Sequence, residues 1–273
     1  MDKYFRIKEK ISSIQNPKIK QIIHLQKSNV RKRENTIFIE GFREISAAIK
    51  SDFKIETLYV CTEIVNNNSE ILKNSFIFNN IVTIEITKEV FAKIAYRDNS
   101  DGLFAVAIPK YLQLNELKLR QNPLIIVLES VEKPGNIGAI LRTSEAANVD
   151  AVIVCDSKTD IYNPNVIRSG LGCVFKLQVV TCTKEELQKY LKFNNISVYS
   201  THLEGKKSYN LVDYTKGSAI LMGTESTGLT DFWKTNSDEL IIIPMLGEVN
   251  SLNVSVSAAI VLYEALRQRK FVV

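Results

Sequence analysis

Hydrophobic and polar residues alternate in short blocks along the first hundred residues, with two different periods. From Pro17 to Arg33, isoleucines and a leucine recur near helical spacing among lysines and arginines, which predicts an amphipathic helix. Short apolar runs closed by glycine, proline or polar residues then alternate with helical patterns, a sequence typical of strands and helices in turn. The predicted strands are TIFIEG, ETLYVC, IVTIEIT and GLFAVAIP, and the helices between them include FREISAAIK and KEVFAKIAYR. The pattern predicts a small three-layer α/β domain over residues 1–108.

The pattern changes after Pro109 and then resumes with more strongly apolar strands. The stretch KYLQLNELKLRQNP is polar and bounded by prolines, so residues 109–122 are predicted to be a linker. LIIVLESV, from Leu124, is a continuous apolar run, which is typical of a parallel strand covered on both faces. Further strands alternate with helices up to the chain's last helical segment. Residues 123–273 are therefore predicted to form a doubly wound α/β domain, in which ligands bind at the carboxyl ends of the strands.

Three of these strand ends carry unusual turns, and the first is ESVEKPGNIGAILRTSE. Its proline and glycine make a tight turn into a helix, with Asn136 in the turn and Arg142 less than two helical turns further on. Gly135 and Gly138 do not complete the GxGxxG pattern, which excludes a nicotinamide site of the usual kind. The simpler interpretation is a capping asparagine and a surface arginine.

The second turn, ILMGTESTGL, follows four apolar residues and contains Gly223 and Gly228. Glycines at a strand end let the backbone approach a flat ligand closely. The lysine and Ser/Thr of a P-loop are missing, which argues against a nucleoside triphosphate site. Glu225 is the ionisable group of this turn.

The third turn lies in IPMLGEVNSLNVSVSAAIVLYEALRQR, where small polar residues stand at the start of a helix. Free N–H groups and the helix dipole at such a position favour an anion or a hydrogen-bond acceptor. N-capping by Asn250 or Ser251 explains one polar residue here but not three.

Composition and charge narrow the function classes. The 273 residues are 45% hydrophobic and 24% charged, as in a globular protein, and no apolar run reaches the ~20 residues that span a bilayer. Four scattered cysteines and the lack of a secretory signal predict a reduced, cytoplasmic setting, and two histidines give no basis for a metal site. Residues 1–60 contain 13 Lys/Arg against seven Asp/Glu, a surplus that indicates a nucleic-acid partner, with a solvated helix surface as the alternative.

Together, the three turns resemble the three motifs of the SpoU (TrmH-like) RNA 2′-O-ribose methyltransferases of the SPOUT superfamily, in the same order. The stretch that runs from ISSIQNPKIK to FREISAAIK is also similar to the substrate-binding domain that many members carry, which resembles RNA-binding ribosomal proteins. The resemblance implies S-adenosyl-L-methionine as methyl donor, a homodimer formed by the C-terminal domain, and a deep C-terminal trefoil knot in place of the open sheet that the pattern alone predicts. Lys133, Thr224 and Thr227 depart from the residues common in the family motifs.

The resemblance also assigns roles to individual residues. The catalytic set is Arg142, Asn136, Ser251 and Asn253, with Arg142 either a general base or a cationic clamp on phosphate and alkoxide. The donor site comprises Leu221, Gly223, Glu225, Gly228, Ile243, Met245, Ser251 and Leu252. The basic residues expected to bind RNA phosphates are Lys18, Lys20, Arg31, Lys32, Arg33 and Arg43. Apolar residues that the last helix has to spare for dimerisation are Ile260, Val261 and Ala265.

These expectations define an S-adenosylmethionine-dependent RNA 2′-O-methyltransferase, with 23S ribosomal RNA as the expected substrate. Transfer RNA is the alternative substrate. A non-catalytic RNA-binding protein with a degenerate transferase fold is the alternative of another class.

Overall fold

The computed structural model describes residues 4–66, 68–96 and 100–271, and the chain divides into two compact units. The first unit comprises Met1–Lys110 and Tyr162–Lys176, and the second comprises Tyr111–Ile161 and Leu177–Val273. The strands are β1 (Ile7–Ile11), β2 (Ile37–Glu40), β3 (Ile55–Val60), β4 (Thr83–Ile86), β5 (Leu103–Ala107), β6 (Leu124–Glu129), β7 (Ala151–Cys155), β8 (Val179–Cys182), β9 (Ser197–Thr201), β10 (Lys207–Ser208), β11 (Ser218–Met222) and β12 (Glu239–Ile242). The α-helices are α1 (Pro17–His24), α2 (Ser28–Glu34), α3 (Phe42–Lys50), α4 (Thr62–Val65), α5 (Ser69–Lys73), α6 (Lys88–Ile94), α7 (Pro134–Ala146), α8 (Pro164–Ser169), α9 (Cys173–Lys176), α10 (Lys184–Phe193), α11 (Asp231–Asn236) and α12 (Val254–Gln268).

The first unit is built on a mixed five-stranded sheet in the order β1-β4-β3-β5-β2. Strands β1, β4 and β3 are parallel, whereas β5 runs antiparallel to both β3 and β2. Tyr59 and Cys61 pack into one apolar cluster with residues of α1 and α6, while the alternating Leu58 and Val60 are also fully buried. Because successive side chains of a strand point to opposite faces, both faces of this sheet are covered.

The second unit contains a seven-stranded parallel sheet in the order β10-β12-β9-β11-β6-β7-β8. The continuous apolar runs of β6 and β7 are buried along their whole length, as expected for strands with helices on both sides. The predicted parallel α/β architecture is confirmed.

Three local predictions differ from the structure. The helix predicted from Pro17 to Arg33 is interrupted at residues 25–27, and the Arg31 side chain donates hydrogen bonds to the carbonyls of Leu25 and Gln26 at this break. Strand β1 is missing from the prediction because it lies in a charged stretch at the edge of the sheet, with few buried residues. The helix predicted from KEVFAKIAYR ends at Ile94, and its last residue, Arg97, lies outside the described residues.

The segment predicted as a linker is ordered along the second unit. Leu114, Leu117 and Leu119 pack against its core, so three leucines without a regular spacing carry the apolar signal. Asp150, which is buried, accepts hydrogen bonds from the backbone and guanidinium of Arg120. Although burial opposes it, these hydrogen bonds hold the pKa of Asp150 below its usual range.

Helix α12 runs between the two ends of the second unit's sheet. At its amino end Asn253 is the N-cap, and its side chain accepts from the Ser255 backbone N–H at 2.9 Å. Just beyond its carboxyl end, the Arg269 guanidinium donates to the carbonyls of Asn122, Pro123, Tyr214 and Lys216, which precede β6 and β11. The helix is therefore fixed at both ends.

Candidate active site at the carboxyl ends of the second sheet

The carboxyl ends of β9, β11 and β12 open into a cavity of about 500 Å³. It is lined by the turns that follow these strands and by the first turn of α12. Seven of the eight residues predicted for the donor site line it: Gly223, Glu225, Gly228, Ile243, Met245, Ser251 and Leu252. Leu221 is absent from this wall; it is fully buried in the core because its side chain points into the sheet's packed face, and the Thr201 hydroxyl donates to its carbonyl at 2.8 Å.

The loop after β11 is closed on itself by backbone contacts. The N–H of Thr224 donates to the carbonyl of Gly228 at 3.0 Å, and the N–H of Gly228 donates back at 3.1 Å. A Cβ at Gly223 would lie 2.1 Å from the carbonyl carbon of Gly228, so only glycine fits at the base of this loop. Glu129, buried at the end of β6, accepts from the backbone and hydroxyl of Thr230 and holds the loop's far end.

Side chains from all three predicted turns meet at the edge of the cavity. Asn253 Nδ2 donates to Asn136 Oδ1 at 3.2 Å, and Asn136 Nδ2 donates to the Glu225 carboxylate. Asn253 is also the N-cap of α12, a role that the sequence allowed for Asn250 or Ser251. The turn after β6, the loop after β11 and the entrance of α12 are thus joined by side-chain hydrogen bonds.

Two other predicted catalytic residues are exposed. Ser251 lines the cavity, and Arg142 lies on α7. Within residues 4–66, 68–96 and 100–271, neither side chain has a hydrogen bond or an ion pair. The Arg142 guanidinium is therefore available to an incoming anion. Its planar fork of donors suits a phosphate.

The rim of the cavity includes charged residues that the sequence analysis missed. Lys234 forms ion pairs at 3.2 Å with both Glu204 and Asp231, and the hydrogen bonds to Asp231 and then Glu204 raise the pKa of Lys234. His202 Nδ1 accepts from the N–H of Glu204 at 3.0 Å, which fixes the turn after β9. The rule that ligands bind at the carboxyl ends of parallel strands points to this turn, because it follows β9.

The predicted RNA-binding residues of the first unit differ in their surroundings. Lys20, Lys32 and Arg43 are exposed, while Lys18 pairs with Glu9, and Arg33 with Glu34 at 2.9 Å. The prediction for Arg31 needs correction. The residue is only 2% exposed, and its guanidinium donates hydrogen bonds to the carbonyls of Leu25 and Gln26. A side chain that is buried and held by two carbonyls in this way is not presented to a phosphate.

The residues predicted to be spare for dimerisation also need correction. Val261 and Ala265 are fully buried within the second unit, because they form the core-facing stripe of α12, and Ile260 is half-buried. Val256 and Tyr263 on the same helix are exposed, as are Leu246 and Val249 in the preceding loop.

Neither a cluster of metal-binding side chains nor a membrane-spanning helix is found in the described ranges. No group of three or more His, Cys, Asp or Glu side chains in them is arranged to hold a metal ion. No helix in them is both long and apolar enough to cross a membrane.

Comparisons with known proteins show the family to which the chain is related. Residues 123–263 match the model of the SpoU rRNA Methylase family, and residues 16–105 match the MRM3-like substrate binding domain. The chain is 27% identical over 255 residues to the 23S rRNA (guanosine(2553)-2′-O)-methyltransferase RlmP of Bacillus subtilis, covering 93% of this chain and 98% of the relative. It is 37% identical over 164 residues to the tRNA (guanosine(18)-2′-O)-methyltransferase of Escherichia coli, covering 59% of this chain and 71% of the relative. The crystal structure of the SpoU methyltransferase AviRb from Streptomyces viridochromogenes in complex with AdoMet superposes with a TM-score of 0.86 at 26% identity, over 94% of this chain and 99% of the other.

Proposed function

The chain belongs to the SpoU rRNA methylase family, and from that premise we propose that it transfers a methyl group from S-adenosyl-L-methionine to a ribose 2′-hydroxyl of RNA. The observation that carries the proposal is the joining of the three family motifs at one cavity through Asn136, Glu225 and Asn253. The substrate that we propose is 23S ribosomal RNA, the substrate in the name of a relative that matches 93% of the chain.

The cavity fits the methyl donor in size and in chemistry. Its volume of about 500 Å³ lies within the ~300–1,000 Å³ range of small-molecule sites. Gly223 and Gly228 leave backbone groups without side chains in front of them, and Ile243, Met245 and Leu252 supply apolar surface for a flat ring. When bound, the donor supplies an electrophilic methyl group.

The chain's own residues bind and orient the ribose. We assign Arg142 to the phosphate next to the target nucleotide and to the alkoxide that develops on its 2′-oxygen, because an exposed guanidinium without a partner stabilises both. A guanidinium keeps its proton at neutral pH, so this clamp is a better role for Arg142 than general base. Ser251 and Asn253 orient the phosphate at the entrance of α12, where free N–H groups favour an anion.

We assign RNA recognition to residues 1–108 and catalysis to residues 123–273, with residues 109–122 between them. Lys20, Lys32 and Arg43 are exposed cations that attract the phosphate backbone without reading its sequence. The four cysteines are free, and this agrees with action in the reducing cytoplasm.

The family resemblance further supports a trefoil knot in the second unit and a homodimer formed through it. The exposed Leu246, Val249, Val256 and Tyr263 offer apolar surface for the dimer, in place of the buried Val261 and Ala265. Sedimentation of the purified protein tests the dimer, and a crystal structure traced through residues 201–254 tests the knot.

The experiment that tests the function is mapping of ribose methylation across ribosomal and transfer RNA in cells with and without the gene. Loss of one 2′-O-methyl group from 23S rRNA supports the proposal. Loss of a methyl group from a tRNA instead favours tRNA as the substrate, and the 37% identity to the tRNA methyltransferase supports this second candidate. Calorimetry with S-adenosylmethionine separates both from a non-catalytic RNA-binding protein, which takes up no donor.

A further inference from the structure

The first unit contains a cleft that the proposed chemistry does not use. It has a volume of about 290 Å³ and lies between α1 and the strands β1, β3 and β4. Ile22, Leu25 and Ile84 give it apolar walls, and Gln21 and Thr57 give it polar groups. The volume is at the lower end of the range of small-molecule sites, which suits a ligand about the size of one nucleoside.

Tyr59 lines this cleft, and its hydroxyl is free to bind a ligand. The residue is only 5% exposed, yet within the described part of the chain its hydroxyl has no hydrogen-bond partner. Burial, and then the nearby Glu9 carboxylate, raise the pKa of Tyr59 to about 12, so the hydroxyl is neutral and remains a donor. The hydroxyl oxygen is not enclosed by the protein, so it opens onto the cleft and can donate to a ligand there.

The mouth of the cleft is charged on both sides. Lys8 and Lys18 line it and are exposed, as is Glu56. Lys18 pairs with Glu9, and both side chains are about half exposed, so solvent screens the pair and it can exchange for a phosphate. Lys8 has no partner within the described ranges. Apolar walls, a hydroxyl that opens onto the cleft, and two lysines at a mouth that also carries Glu9 and Glu56 match a flat ring that carries hydrogen-bonding edges and a phosphate.

We propose that this cleft holds one unstacked nucleobase of the RNA substrate, with the Tyr59 hydroxyl bonded to the base edge and Lys8 and Lys18 on the adjoining phosphates. Proteins recognise RNA sequence mostly through such splayed nucleotides, because the grooves of an RNA helix hide the base edges. The inference rests on the proposed function, since it takes RNA as the substrate. It adds a base-specific contact to a unit whose exposed lysines and arginines recognise phosphates only.

The substitution Tyr59→Phe removes the hydroxyl and leaves the shape of the cleft unchanged. We expect the affinity for in vitro transcribed 23S rRNA to fall about five- to tenfold, as for the loss of one buried hydrogen bond. We expect the melting temperature to stay the same or rise, because the free protein loses only a hydroxyl without a partner. Tyr190→Phe, on α10 of the second unit, is the matched control, and we expect it to change neither quantity.

A second variant, Thr57→Trp, fills the cleft from a half-exposed position at its edge and is expected to weaken RNA binding at least tenfold. Calorimetric affinity for S-adenosylmethionine stays at the wild-type value in both variants. The proposal is overturned if both variants bind the transcript as the wild type does, or if Tyr59→Phe loses affinity only together with stability. Failure of the proposed function itself is distinguishable, because the wild-type protein would then neither bind the donor nor methylate RNA.

Discussion

The bridge between Asn253 and Asn136 can be tested by two substitutions that separate its two roles. Asn253→Ala removes the N-cap of α12 and the hydrogen bond to Asn136 together. Asn253→Asp keeps an oxygen that accepts from the N–H of Ser255, but it cannot donate to Asn136 Oδ1. The aspartate also carries a negative charge, which is favourable at a helix N-terminus.

The expected magnitudes follow from these contacts. Loss of an N-cap costs about 1 kcal/mol, and loss of a side-chain hydrogen bond costs about 1 kcal/mol more. Asn253→Ala is therefore expected to lower the free energy of unfolding by about 2 kcal/mol and the melting temperature by roughly 4–8 °C. Asn253→Asp is expected to melt within about 2 °C of the wild type, because the cap is retained and the negative charge at the helix N-terminus offsets the lost hydrogen bond.

Methyl-transfer activity is expected to depend on the bridge rather than on the N-cap. We expect both to lose at least about tenfold in kcat/KM with a labelled donor, because the bridge that joins the turns is absent in both, and tenfold corresponds to about 1.4 kcal/mol. Thermal unfolding and single-turnover methylation on the same preparations are the assays. If Asn253→Asp is as active as the wild type, the bridge has no part in the reaction and the interpretation of the three-turn contact is wrong.

Substitutions at three further places test the rest of the site and its support. Arg142→Ala is expected to lower turnover at least about 100-fold with unchanged calorimetric donor affinity, and Arg142→Lys, which keeps the charge but not the fork, to recover part of it. Reversing the charges of Lys32 and Arg33 is expected to reduce the slope of log K against log salt for RNA binding by about two, whereas Arg31→Met is expected to lower the melting temperature and leave that slope unchanged. Asp150 has a lowered pKa, so it stabilises the fold above the ordinary aspartate pKa, about 3.9, and this contribution is lost as pH falls through the lower folded value. Asp150→Asn is therefore expected to lower the free energy of unfolding by about 2 kcal/mol at pH 7. This is a small loss for a buried pair, because the arginine partner is half-exposed. The unfolding midpoint of the variant should also change less as the pH is lowered.

The parallel sheet of the second unit could be predicted because its strands are apolar along their whole length. Burial on both faces leaves a signal in every residue of β6 and β7, and helices separate these runs. Strand β1 gives no such signal, since it lies at a sheet edge and keeps several charged residues exposed. Helix patterns were predicted well where one stripe is apolar, but the break at residues 25–27 depends on the Arg31 side chain, a tertiary contact.

The site itself was predictable in its residues more than in their contacts. The three turns are recognisable in the sequence, and the cavity brings Gly223, Ser251 and Leu252 together as expected. Their connection through Asn136, Glu225 and Asn253 follows from how the turns pack, which no spacing in the sequence gives. The family resemblance placed Leu221 in the donor site, but its side chain is buried in the core of the second unit, which only the packing of β11 shows.

Predictions of contact residues from counts of charged or apolar residues were wrong where the side chains are buried. Arg31 lies in a run of three basic residues, yet its side chain points into the core and its guanidinium donates to two backbone carbonyls. Val261 and Ala265 were taken as surplus apolar surface, whereas their spacing of four is that of the stripe facing the core. In both cases, which residues are buried depends on the orientation of the helix about its axis, and a count of residues does not give that orientation.

Helix α12 is held by Asn253 at the cavity and by Arg269 at the opposite edge of the sheet, so it connects the two ends of the second unit. Its 15 residues span about 22 Å. The carbonyls that hold Arg269 belong to the segments that lead into β6 and β11, so this one helix links the cavity to the opposite edge of the sheet. We therefore expect the amides of α12 to be protected from hydrogen exchange as strongly as those of the central strands.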